Sequence, residues 1–219
     1  MARWVIRMDR QLRRVKNKAL TMLWYKHLFS RFGARSTITS PVFTHQADFI
    51  EIGAHVSIGP FCRIEAHPIH PEEGGSPVLR IGDRVRIGHG VNLSGSVSLV
   101  IEDDVLIAGG CYISDNNHSI DPMGSSYLKQ PLVSEPTRIG RGAWLGQNVC
   151  VLAGSVVGEK SVIGAASVVK GVIPPYSLAA GSPARVVKQF CFETNKWKKP
   201  ENNKDEIPSK IVEDSIASN

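Results

Sequence analysis

The sequence predicts an all-β solenoid built from short parallel strands, and three observations carry that prediction. An aliphatic residue returns every six positions over most of the chain, all 20 glycines fall between Gly33 and Gly181, and the net charge of +6 belongs to a segment outside the repeat. With 42% hydrophobic and 21% charged residues the 219-residue chain is neither disordered nor a membrane-spanning protein, since no apolar run approaches the ~20 residues of a spanning helix.

The repeat is carried by Ile52, Ile58 and Ile64, then Ile81, Ile87 and Leu93, then Ile101, Ile107 and Ile113; after a gap it runs unbroken through Ile139, Leu145, Val151, Val157, Ile163 and Val169. A small or β-branched residue sits four places after many of these anchors, as at Val56, Val85, Val105, Ser155, Ser161 and Ser167. A helix repeats at 3.6 and a strand at 2, so neither alone explains a period of six. A solenoid does: each unit is one short strand and a corner, the aliphatic residue points into a prism, and glycine relieves crowding where the chain bends. Three units close one triangular coil, so the fifteen anchors make five coils, and imperfect units around Ile38–Ile50 add another.

Residues 1–35 read as a basic helical segment. Trp4, Met8, Leu12, Val15, Ala19, Met22 and Leu23 recur at spacings of three and four. Ten Lys and Arg residues against Asp9 give this segment +9, whereas residues 36–190 come to −2. The basic residues are interspersed with the apolar ones and do not precede an apolar core, so the segment is no signal peptide and the expected location is cytoplasmic. Two uses remain open for it: a cap on the first coil, or a basic amphipathic face on anionic lipid that would make the protein peripheral to the inner membrane through residues 1–30. No nucleic-acid-binding module accompanies the charge. The solenoid is expected over residues 36–188 and a loosely held C-terminal arm over 189–219. Cys62, Cys111, Cys150 and Cys191 lie far apart without a CxxC pair, which points to free thiols rather than a zinc site or a disulfide framework.

The period breaks where twenty-six residues separate Ile113 from Ile139, and an extruded loop around 115–137 fills the gap. Long irregular loops on a solenoid are usually functional. This one contains Asp115, Asn116, Asn117 and His118; a smaller break at Ala66–Leu79 carries His67 and His70. A histidine is suited to remove a proton from an alcohol near neutral pH, which makes His118 the candidate general base.

The pattern [Ile/Leu/Val]-Gly-x-x-[small/Val]-x over roughly residues 50–188 resembles the hexapeptide repeat of the left-handed parallel β-helix acyltransferases, and the loop at Asp115–Pro122 resembles that of galactoside, maltose and polysaccharide O-acetyltransferases. The resemblance implies a left-handed coil, acetyl-CoA as co-substrate, a sugar or glycan acceptor, and a homotrimer with active sites between subunits. It assigns His118 as the base, with Asn92 and His89 as acceptor contacts and Asp115 and Asn117 beside them. It also places the coenzyme along Trp144, Gly146, Gln147, Gly164, Ala165, Lys170, Arg185 and Lys188, where small residues admit the pantetheine arm, the Gln147 N–H faces the oxyanion and cations face the phosphates. The γ-carbonic anhydrases share this solenoid, but the spacing of His67, His70, His89 and His118 does not reproduce their zinc ligands, so no metal is expected. The activity implied is acetyl transfer to a sugar hydroxyl in bacterial polysaccharide or glycoconjugate biosynthesis. The alternatives are N-acetylation of an amino sugar and a non-catalytic hexapeptide-repeat scaffold.

Overall fold

The computed structural model describes residues 2–69, 71 and 75–200; His70 and residues 201–219 of the expected arm lie outside them. The chain winds into a left-handed parallel β-helix of triangular section. Among the described residues one face has seven strands, a second nine and the third six. Along the first face run Arg31–Phe32, Ile50–Ile52, Leu79–Ile81, Leu99–Ile101, Thr137–Ile139, Val156–Val157 and Val172–Ile173. The third face stacks Val42–His45, Cys62–Ala66, Asn92–Gly95, Tyr112–Ser114, Cys150–Val151 and Val168–Val169.

All fifteen repeat anchors are buried, with exposures of 4% or less. They stack in register, Ile52 against Ile81, Ile81 against Ile101 and Ile101 against Ile139, so each coil lays its aliphatic residue on that of the coil before it. Val56, Val85, Val105, Ser155, Ser161 and Ser167 are buried as well. Ser155 and Ser161 survive there because each hydroxyl donates to a backbone carbonyl of the next coil, Val169 O and Pro174 O. At the corner between the first and second faces His55, Arg84, Asp104, Gly142 and Lys160 all take φ between 54° and 64°. Their N–H groups donate to the coil below, for example Arg84 to Ala54 O at 2.8 Å and Asp104 to Asp83 O at 2.9 Å.

The coil foreseen at the N-terminal end is present as Arg31–Phe32, Thr37–Ile38 and Val42–His45. The helix runs from Ala2 to Leu23, and its last turn lies on this coil. Thr21 Oγ1 accepts the Ile38 N–H at 3.1 Å and donates its own proton to Asn17 O, one turn back in the helix, at 2.7 Å. Leu12, Val15, Met22, Leu23 and Trp24 remain exposed. No helix among the described residues is long and apolar enough to cross a membrane.

At the other end a coil continues past Val169 through Ile173 and Ala179, both buried. The four-residue step from Val169 to Ile173 breaks the period of six there. Beyond it, Ala184–Cys191 turns back antiparallel along Ser177–Gly181, and Lys196–Lys198 pairs in turn with Gln189–Cys191. The chain after Phe190, expected as a loose arm, is therefore ordered as a strand to Cys191, a turn over 192–195 and a second strand at Lys196–Lys198. Phe190 meets Phe192 and Trp197 edge-on at 5.2 and 5.5 Å, and this aromatic contact anchors the strands.

Candidate active site

Three consecutive coils depart from the six-residue period at one and the same corner, between the third and first faces. These departures are Ala66–Val78, Gly95–Ser98 and the extruded loop from Asp115, and hydrogen bonds stack each on the next. His67 N–H donates to Gly95 O at 2.7 Å, Ser96 Oγ to His67 O at 2.8 Å, and Asp115 N–H to Ser94 O at 3.2 Å. The loop leaves as a short hairpin in which Asn116–His118 pairs antiparallel with Leu132–Ser134, setting His118 opposite Leu132.

The hairpin overhangs the outer side of the third face, and between them lies a groove of about 620 Å³. Asn92, Asn117 and His118 line it, as the sequence leads one to expect. Arg63, Glu65, Ser94 and Tyr112 line it too. None of these four carries a sequence signal of its own: outward positions of a solenoid are free of the repeat, and only coil stacking brings residues 20 or 29 apart side by side. His67, from the smaller break, lines the groove as well. Its ring stacks on His45 with centroids 5.1 Å apart. Desolvation, and then the charge of His45, lower its pKa, which favours the neutral imidazole.

Asp115 does not reach the groove. It is fully buried, and its carboxylate accepts the N–H groups of Ser96, Val97 and Ser98 at 2.7, 2.9 and 2.7 Å and the Asn116 side-chain amide at 3.0 Å. A carboxylate with four donors has nothing left for a substrate; it fastens the loop to the preceding coil. The three N–H groups lie in the stretch between Leu93 and Ile101, whose spacing of eight is two longer than the repeat. Asn116 continues the clamp by donating to Ser94 O at 3.1 Å. His89 is likewise outside the groove: it sits at the corner between the second and third faces with its ring over Gly109. The His118 N–H donates to Asn117 Oδ1 at 2.9 Å, and the imidazole is exposed.

The residues expected at the coenzyme divide between two corners. Trp144, 48% exposed, stands on the second face. Gly146, Gln147, Gly164 and Ala165 follow at the corner to the third face, where successive coils are in backbone contact: a Cβ on Gly146 would lie 2.7 Å from Ala165 N. The Gln147 N–H makes no hydrogen bond among the described residues, while Gly146 N–H donates to Ile163 O and Asn148 N–H to Gly109 O. Arg185 pairs across the strands with Ala180, which packs against Gly164, so Arg185 shares this edge; Lys188 lies exposed further along the same strand. Lys170 does not share it, since it follows Val168–Val169 at the corner between the third and first faces.

No protein-family model matches the chain. It is 32% identical over 195 residues to a putative lipopolysaccharide biosynthesis O-acetyl transferase of Escherichia coli, covering 86% of this chain and 92% of that protein. It is 39% identical over 148 residues to a probable acetyltransferase of Mycobacterium tuberculosis, which covers 67% of this chain but spans only 47% of that protein's length. Among solved structures, a hexapeptide-repeat-containing acetyltransferase of Vibrio cholerae matches with TM-score 0.51 and 25% identity over 75% of this chain and 76% of its own. A variant of AntD, an N-acyltransferase of Bacillus cereus in complex with dTDP and coenzyme A, matches with TM-score 0.64 and 19% identity, covering 75% of this chain and 86% of its own, a likeness of fold.

Proposed function

Because the chain belongs to the hexapeptide-repeat acetyltransferases, we propose that it transfers the acetyl group of acetyl-CoA to a hydroxyl of a sugar or glycan, in polysaccharide or glycoconjugate biosynthesis, with His118 as general base. The observation that carries this reading is the overhang of the His118 hairpin above a polar groove floored by Asn92 and Tyr112. The relatedness over 92% of an O-acetyl transfer protein of lipopolysaccharide biosynthesis supports the acceptor class.

The acceptor hydroxyl gives its proton to the His118 imidazole as its oxygen attacks the thioester carbonyl. The carbonyl oxygen becomes an oxyanion, and the free Gln147 N–H is the donor available to it. Collapse of the tetrahedral intermediate breaks the carbon–sulfur bond, and the departing thiolate takes the proton back from the imidazolium. No side chain is acetylated. The pantetheine arm runs along the corner of Gly146, Gln147, Gly164 and Ala165, Trp144 packs beside it, and Arg185 and Lys188 meet the phosphates.

The hairpin of His118 and the coenzyme edge leave different corners of one prism, and in our reading His118 of one subunit meets the coenzyme edge of a neighbour. This relationship supports a homotrimer with three sites, tested by sedimentation velocity. The exposed apolar residues of the basic helix, Leu12, Val15 and Met22, support a place on anionic lipid, tested by co-sedimentation with phosphatidylglycerol vesicles with and without residues 1–16.

The reaction is tested by thiol release from acetyl-CoA over a panel of sugars, sugar nucleotides and glycans. The product's acetyl group should be removed by mild base, as an ester is; an acetyl group resistant to base would identify N-acetylation. His118→Ala should lower turnover about 10²–10⁴-fold without altering coenzyme affinity. Normal turnover by that variant would overturn the assignment.

A further inference from the structure

Acetyl transfer needs room for one sugar ring beside His118, yet the groove continues well past it. Its floor is built of two columns that climb the coils. Tyr112, Asn92 and Arg63 are direct strand neighbours in one, and Ser94 and Glu65 in the other. Neighbouring strands are ~4.8 Å apart, so Arg63 lies about 10 Å along the floor from Tyr112. The rise from coil to coil is close to the length of one sugar unit in a glycan.

Arg63 and Glu65 are poised for hydroxyl groups. Both Arg63 Nε and Nη2 donate to the same oxygen, Glu65 Oε1, at 3.2 and 2.8 Å. Glu65 Oε2 makes no hydrogen bond among the described residues, and His67 Nε2 lies 3.9 Å from it. The pair thus presents a fixed carboxylate oxygen as acceptor next to unused guanidinium N–H donors, an arrangement that matches adjacent hydroxyls of a pyranose. Its charges cancel, and Glu65 opposes a carboxylate or phosphate on the ring it would hold.

We infer that the groove is an acceptor site for at least two sugar rings: the ring to be acetylated lies over Tyr112 and Asn92, and the next ring of the same neutral glycan lies on Arg63 and Glu65. The inference rests on the sugar acetyltransferase reading and adds to it that the acceptor is an oligosaccharide, with Arg63 and Glu65 as the residues that select for length.

The test uses the full-length protein with galacto-oligosaccharides and malto-oligosaccharides of one to four units, read by saturation-transfer NMR and by thiol release from acetyl-CoA. Saturation should reach two adjacent rings, and kcat/KM should rise about ten-fold from one unit to two, the size of one charged hydrogen bond, chiefly through KM. Glu65→Gln and Arg63→Ala should each abolish that rise and the signal of the second ring. Saturation of a single ring, a length preference untouched by both variants, or binding of no glycan in the panel would overturn the inference. Two-ring binding without acetyl transfer would instead overturn the transferase reading and leave the two-ring site standing.

Discussion

Asp115 Oδ2 accepts the backbone N–H of Ser98 at 2.7 Å, and this bond ties the loop that bears His118 to the coil that bears Asn92. His118 is thereby positioned by a residue three places earlier that does not reach the groove. The same carboxylate takes the N–H groups of Ser96 and Val97, so the entire turn is organised around one buried anion.

Replacing Asp115 with Ala leaves these N–H groups without their acceptor. Hydrogen bonds to a charged group are worth about 1.5–3 kcal/mol, so Asp115→Ala should lose at least that much stability in chemical unfolding. It should also lower kcat, because the hairpin loses its anchor. Asp115→Asn keeps one acceptor oxygen but turns an NH2 toward an N–H, and should fall between the two.

Gly146 is set by the distance between coils. A methyl group there would stand 2.7 Å from Ala165 N and 2.8 Å from Ile163 O, both backbone atoms that cannot swing aside. Gly146→Ala should destabilise by about 1–3 kcal/mol, seen as a lower melting temperature. The coils at this corner would be forced apart, and coenzyme affinity measured by calorimetry should weaken with them.

Among the thiols, Cys191 is the one whose pKa is lowered. Hydrogen bonds from Thr194, then from Lys198, hold its pKa down to about 7, while burial raises those of Cys62 and Cys111. A lowered thiol pKa means that about half of Cys191 is thiolate at pH 7, and the reactive fraction shrinks as the pH falls below that value. Iodoacetamide at pH 7 should therefore modify Cys191 before Cys62 and Cys111 by peptide mass spectrometry, with a rate half-maximal near pH 7. Thr194→Ala should move that midpoint upward.

Thr21 supplies the hydroxyl oxygen that accepts the buried Ile38 N–H. Thr21→Val keeps the shape and leaves a buried N–H unpartnered, at a cost of about 1–3 kcal/mol. Thermal unfolding should report this loss, and hydrogen exchange should show faster exchange at Ile38 than at Ile58, the next residue of the same column.

The fold was legible because burial in a solenoid is periodic: Ile52 through Val169 announce themselves by spacing alone. The extruded loop was legible for the same reason, as an interruption. The groove was not. Arg63, Glu65 and Tyr112 point outward, where no period constrains them, and their convergence depends on the uneven lengths of the coils between them. Asp115 was expected beside the acceptor from the resemblance of its loop, and its burial was not legible because its partners lie 17–19 residues earlier. Lys170 misled because a basic residue near the coenzyme segments need not face the same corner.

A coil whose strand edge is open offers an identical coil a template, and a solenoid with two open ends could extend without limit into a filament. In this protein Thr21 occupies the position of the missing neighbour at Ile38, and at the far end the strand Ala184–Cys191 runs antiparallel, so the parallel stack cannot continue through it. The terminal elements thus set a boundary on assembly, and a chain shortened to its repeats would be expected to grow end to end.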